Sequence, residues 1–355
     1  MLKKIKQKKQ KVASKLKNRN KTPLETGEPV ERVTNKTLSD HREEVIGSAR
    51  KYIYPLQHSK HRIVIVSISL AILVFVAFAT YSTLALYRFK SSSTLIYKVT
   101  QIIPFPVART GGDFIAYENY LFELRRYTHY YENQGQLNFD DPAYTEQLKR
   151  YKQDALNKVI DDAYIKKLAS EKNISVSDQE VEDQITILRN QNRLGQDQEV
   201  LEDVLADYWG WSINDFRRSL KQEMLAQKVL ASLDTETKDK ADKAYLELKS
   251  GADFAEVAKK YSDDTNTNVN GGEFGFPVER TSKNVESKAI DALFKLKPGE
   301  FSEVVNTGYT LVIVKNIETN GDKIRGAIIE LKYKPIGDYL NDIKEQKPTR
   351  AYIKN

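Results

Sequence analysis

Ile63 to Leu86 is a run of 24 residues without a charged side chain. As a helix it is long enough to cross the hydrocarbon core of a bilayer, roughly 30 Å thick. A buried core helix of this length carries a polar stripe, and this run has none. About 60 residues precede it, whereas a cleavable signal peptide has a short basic start. The pattern therefore predicts a retained membrane anchor. His58, Lys60, His61 and Arg62 flank it on one side. Tyr81 and Tyr87 lie towards the other end, where amphipathic rings favour the interface. Residues 87–104 read as a linker.

Beyond the linker, Pro104–Ala108 reads as a short extended segment, Gly111-Gly112 as a turn and Phe114-Ile115 as a returning strand. Helical periods follow. Tyr120, Leu124, Tyr127 and Tyr131 recur at three- and four-residue spacing, a stripe that suits a core face more than a binding cradle. Leu156, Val159, Ile160, Ala163, Tyr164 and Leu168 form a second stripe, which Asn173 can close in a left-handed conformation. Ser177-x-x-Glu180 is a capping box, and Ser212-x-x-Asp215 is a similar start signal ahead of Phe216, Leu220, Met224 and Val229.

After residue 234 the pattern becomes mixed. Two helical stripes, Ala241–Leu248 and Phe254–Tyr261, precede a tight turn at Asn270-Gly271-Gly272. A short helix around Ala292–Leu296 and a turn at Lys297–Glu300 follow. Val304-Val305, Leu311–Val314 and Ile324–Lys332 are β-rich. The fold class predicted is α+β: 1–62 a basic cytoplasmic tail, 63–86 a transmembrane helix, 87–104 a linker, 105–234 a helical domain, 235–333 an α+β domain, and 334–355 a C-terminal helix and strand extension.

Charge orients this layout. Residues 1–62 carry 17 Lys/Arg against 6 Asp/Glu, while the rest of the chain is slightly acidic. Positive charge is retained on the cytoplasmic side, so residues after the span are expected to be extracytoplasmic. The tail, with Lys3, Lys4, Lys6, Lys8 and Lys9 at its start, is read as a topogenic segment. Its charge also suits anionic lipid; nucleic acid is not an expected partner. Cysteine is absent, which rules out disulfides, thiolate nucleophiles and Cys-ligated metals. Of four histidines, His41, His58, His61 and His129, the last alone lies beyond the span. A single histidine argues against a histidine-based triad or a multi-histidine metal site there. Asp263-Asp264 lacks further carboxylates at EF-hand spacing and reads as a loop. No metal or cofactor is expected.

Two blocks carry a resemblance. Ala155–Ala169, Ile174–Val181 and Trp211–Leu220 resemble the N-terminal chaperone domain of SurA-type and PrsA-type foldases. Asp253–Asp264, Asn270–Gly275 and Leu296–Ser302 resemble a parvulin (PpiC-type) peptidyl-prolyl isomerase domain. The resemblance implies a chaperone and isomerase for unfolded or proline-containing exported polypeptides. Such an enzyme needs no cofactor, because it lowers a rotational barrier of about 18–20 kcal/mol by binding the twisted amide.

Carried over by position, the resemblance puts Asp264 beside the twisting bond and Thr307 at a hydroxyl position. It puts Phe274 in the proline pocket and gives the smaller Val285 and Ala289 where the family has Met and Phe. The family's two histidines are missing: Thr310 stands in one place and Ile328 in the other. Ile328 lies in a run that follows the last expected strand, so the β order implies a permuted sheet. The expected activity is weak isomerisation joined to chain binding. The alternative is a catalytically inactive holdase or envelope scaffold that binds peptides with the parvulin fold.

Overall fold

The computed structural model describes residues 34–353 apart from 54, 140 and 196. The lysine-rich start of the tail lies outside them. Contacts divide the chain into two units, residues 1–78 and 79–355. The first contains α1 (Asn35–Ile53) and most of α2 (Pro55–Thr83). From Arg62 to Arg88 the chain is helical, and long and apolar enough to cross a membrane. Its apolar side chains, Ile63 to Phe78, stand exposed.

The second unit begins with the end of that helix, a π-helical turn at Leu84–Arg88. Residues 87–104, read as a linker, instead hold α3 (Thr94–Ile102). The hairpin β1 (Pro106–Thr110) and β2 (Asp113–Ala116) follows, then α4 (Tyr117–Asn133), α5 (Thr145–Glu171), α6 (Asp178–Asn190), α7 (Gln198–Trp209) and α8 (Ile213–Leu233). The start signals act as the sequence predicts. Ser177 and Ser212 each accept from the backbone three residues on, and Glu180 and Asp215 each accept from the capping residue's own N–H. Asn173 adopts φ 54° just beyond α5. Tyr117, Tyr120 and Leu124 are buried in one cluster with Leu86, Ile96, Val107, Leu156 and Val159, so the base of the tyrosine stripe is core.

The α+β part runs through α9 (Thr235–Lys249), α10 (Phe254–Tyr261), α11 (Ser287–Leu293), β3 (Val305–Asn306), β4 (Thr310–Asn320) and β5 (Lys323–Lys332). β4 and β5 pair antiparallel from Thr310↔Lys332 to Asn320↔Lys323, and β3 pairs with the other edge of β4. The free edge of β5 is met by residues 272–278. Phe274 N donates to Gly326 O, and Val278 and Ile324 exchange hydrogen bonds. The run late in the chain is thus an interior strand, as the permuted order requires.

Both faces of β5 are covered. Ile329 and Leu331 pack with Ala241, Ala244, Leu248 and Phe254. Ile324 and Ile328 pack with Val285, Ala289, Ile290 and Leu293. The Asn270–Gly272 turn permits this closeness. Gly272 sits at φ 89°, and a Cβ there would lie 2.5 Å from the Ile328 carbonyl oxygen, which only glycine avoids.

The chain then returns to the helical part. In α12 (Ile336–Gln346), Leu340 is buried against Tyr164, Leu168 and Val229. β6 (Thr349–Ala351) pairs antiparallel with β1, Ala108↔Ala351 to Thr110↔Thr349. The α+β part is therefore inserted within the helical part. Its two crossings meet at Asp234, whose buried carboxylate accepts from the Thr237 and Lys334 backbone N–H groups at 3.0 and 2.8 Å.

Candidate functional site

Two neighbouring regions bear on function. The first is a cleft of about 570 Å³ in the helical part, walled by β2, α4, α5, α8 and the Trp209–Trp211 turn. While Tyr120 and Leu124 face the core, Phe122 and Arg126 on α4 line the cleft. Phe122 stacks on Trp211 at 5.2 Å between ring centres, and Trp209 lies 5.6 Å from Trp211. Gly210, left-handed at φ 65°, ends α7 between the two tryptophans. His129 braces this turn by hydrogen bonding the Ala206 carbonyl through Nε2 at 2.9 Å, a structural role.

The cleft is charged as well as aromatic. Arg126 pairs with Glu123 at 3.1 Å and Lys158 with Asp162 at 2.6 Å. Arg218 holds Glu118 with two bonds of 2.7 Å and lies over Phe122. Burial pushes the Asp162 carboxyl above its usual range, against the opposing pull of Lys158. Gln222 reaches the cleft with its Nε2 buried and without a hydrogen-bond partner among the described residues. At the end towards the α+β part, Glu223 accepts from the Tyr309 hydroxyl. Burial, then the hydrogen bond to Glu223 and its charge, raise the pKa of that hydroxyl.

The second region begins beside Tyr309. Thr307 and Thr310 flank it, with their hydroxyls 2.6 Å apart. Register puts Thr310, Val312 and Val314 opposite Lys332, Glu330 and Ile328, so these six side chains share one face of the sheet. Phe274 packs half-buried against the apolar end of that face, 5.9 Å from Phe276. Val285 and Ala289 lie in the same cluster but are buried. Asp264 is half-buried, and its carboxylate is engaged by Asn266 N and, at 2.6 Å, by the Thr267 hydroxyl. Its neighbour Asp263 is tied to β5, donating N–H to Glu330 O at 2.7 Å. The residues singled out from sequence thus divide into a hydroxyl pair (Thr307, Thr310), an apolar group (Phe274, Val285, Ala289) and an acid at the edge of β5 (Asp264).

Sequence reasoning missed two polar side chains of this face, Glu330 and Lys332. Glu330 has its pKa raised by burial first, then by the charges of Asp264 and Glu286, with Lys332 opposing at 3.7 Å. It also missed a cover. Gln191 donates to Ser287 O at 2.9 Å, and Arg193 donates to the Ser282 and Val285 carbonyls. The end of α6 therefore closes over the segment that carries Val285. Strand parity would have flagged Glu330 once the pairing was known; no local signal marks Gln191 or Arg193.

Residues 56–230 match the family model of the SurA-like N-terminal domain, and residues 224–318 match that of the PPIC-type PPIASE domain. The chain belongs to the SurA/PrsA-type parvulin family. The match to the PPIC-type domain stops at residue 318, before β5 begins. Foldase protein PrsA 1 of Bacillus cereus is 30% identical over 39% of this chain and 49% of its own length. Foldase protein PrsA of Caldanaerobacter subterraneus is 30% identical over 46% and 56%. That of Bacillus subtilis is 35% identical over 37% and 42%. The chain spans about half the length of these curated relatives. The crystal structure of foldase protein PrsA from Streptococcus pneumoniae aligns with 66% of this chain and 82% of that one, at 20% identity and a TM-score of 0.20.

Proposed function

We propose that the chain is a membrane-anchored, extracytoplasmic folding factor for exported polypeptides, with client binding as its main activity and weak prolyl isomerisation beside it. One observation carries this reading: the aromatic cleft reaches Glu223, which accepts from the hydroxyl of Tyr309, and Tyr309 lies between Thr307 and Thr310 at the start of the parvulin sheet. An extended chain held along Phe122 and Trp211 passes directly to the face where a proline would be turned. The charge excess of the tail orients the anchor with its N-terminus in the cytoplasm. Anionic lipid is the partner we assign to the tail, and nucleic acid is not one.

Weak catalysis follows from the site. Isomerisation needs an apolar socket for the proline ring and polar groups around the twisted amide. Here Val285 and Ala289 are already buried, Arg193 covers their segment, and Ile328 stands in a histidine's place. These features also favour the second reading, a holdase without turnover. Asp264, Thr307 and Thr310 remain as the polar groups, with Phe274, Val285 and Ala289 as the apolar wall.

The full chain in detergent or nanodiscs should slow aggregation of a denatured client at equimolar ratio. Trp211→Ala should remove most of that effect, since aromatic anchors in a binding surface contribute about 2 kcal/mol or more to binding. Absence of protection by the unaltered chain would overturn the reading. In a protease-coupled proline-peptide assay we expect slow turnover, lowered further by Asp264→Ala. Rapid turnover abolished by Asp264→Ala would make the protein primarily an isomerase.

A further inference from the structure

The segment joining the span to β1 exposes three large apolar side chains: Phe89 at 74%, Leu95 at 59% and Ile102 at 84%. Leu95 and Ile102 are seven residues apart on α3, so they stand on one face two turns apart, with Lys98 between them. The opposite face is fixed. Ile96 and Thr100 are buried. The Tyr97 hydroxyl donates to Glu118 at 3.2 Å, and Arg125 lies over the Tyr97 ring while donating to Ser92 O at 3.0 Å. The helix cannot turn to hide Leu95 and Ile102 without breaking these contacts.

The end of the span is part of the same packed body. Leu86 is fully buried in the cluster that contains Ile96. Its carbonyl accepts from the Tyr117 hydroxyl at 2.8 Å, and the Tyr87 hydroxyl donates to Pro106 O at 2.6 Å. Five residues separate Arg88 from Thr94, so α3 begins within about 20 Å of the span's end. Charge adds a direction. From Ile63 to Gly112 there is no Asp or Glu, while Arg88, Lys90, Lys98 and Arg109 follow the span. An apolar helical face interleaved with cations, next to a membrane crossing, suits an anionic lipid surface.

We propose that α3 is an interfacial helix, with Leu95 and Ile102 in the head-group layer of the leaflet where the span ends and Lys98 on lipid phosphates. The proposal rests on reading Arg62–Arg88 as a membrane span. The cysteine-free chain allows a direct test. Val74→Cys, Leu95→Cys, Ile102→Cys and Val269→Cys, each in the full chain, would carry an environment-sensitive fluorophore in phosphatidylcholine–phosphatidylglycerol vesicles. Val269 is an exposed control in the parvulin part.

The expected result is deep quenching of the label at 74 by acyl-chain bromine. Labels at 95 and 102 should shift to shorter wavelength and be quenched by bromine near the head groups; the label at 269 should do neither. Leu95→Glu should lower quenching at 102. If 74 is quenched but 95 and 102 behave like 269, the anchor stands and the inference falls. If 74 is not quenched, the span reading falls and takes the inference with it. A wavelength shift at 95 and 102 without lipid quenching would mean that a protein surface, such as a second copy, covers the face, and would also overturn the proposal.

Discussion

Truncation after Glu318 is expected to unfold the parvulin part of the chain. The cut removes β5, which is bonded to β4 along one edge and to residues 272–278 along the other. It also strips Ile324, Ile328, Ile329 and Leu331, all buried, from the two clusters on either face of the sheet. Each such side chain contributes about 1.5–3 kcal/mol by burial. Their sum is comparable to the whole stability of a domain, about 5–15 kcal/mol. The cut also removes α12 and β6, so a second truncation after Lys334 serves as the control. It keeps β5 and should retain the parvulin melting transition, seen by circular dichroism or calorimetry. Loss of that transition only in the shorter chain is the expected outcome. An unchanged transition after the Glu318 cut would refute the interior position of β5.

Asp234→Ala should destabilise the junction between the two parts by about 2–3 kcal/mol, as the loss of a helix cap and of a partner for a buried N–H. Burial alone would raise this carboxyl's pKa. Hydrogen bonds from Lys334 N, Thr237 N, the Thr237 hydroxyl and the Tyr339 hydroxyl outweigh it and hold the pKa below its usual value. A depressed folded pKa gives stability that is present above the unfolded value, about 3.9. It is lost as pH falls through the lower folded value. The gap between native and variant in denaturant unfolding should therefore be constant from about pH 5 to 8 and shrink below about pH 4. A gap as large at pH 3 as at pH 7 would show that the carboxylate charge plays no part.

Much of this architecture was legible because its signals are local. The uncharged run at Ile63–Leu86, the two capping boxes, Asn173 and the Gly271-Gly272 turn each state their conformation within a few residues. The position of β5 was legible only because its apolar run had no other place in a sheet lacking a strand. What was hidden depends on distant pairing. α3 read as a linker because exposed Leu95 and Ile102 blur its period. β6 is three polar or small residues whose partner lies about 240 residues earlier in sequence. In the site, Asp264, Thr307 and Thr310 were all singled out through the resemblance, carried over by position. Glu330 was invisible until the register put it opposite Val312. The burial of Val285 beneath Arg193 is a contact between two parts of the molecule, and no pattern within either announces it.

The insertion at Asp234 has a consequence for the order in which the molecule matures. A chain that emerges from its N-terminus delivers α4 to α8 first, then the whole parvulin part, and only afterwards Leu340, β6 and Ile353. Until then the edge of β1 is unpaired and two core clusters lack a member. A chain that lacks this end therefore leaves one edge of β1 without its strand partner. Closure of β6 on β1 can therefore come only after both parts have been delivered.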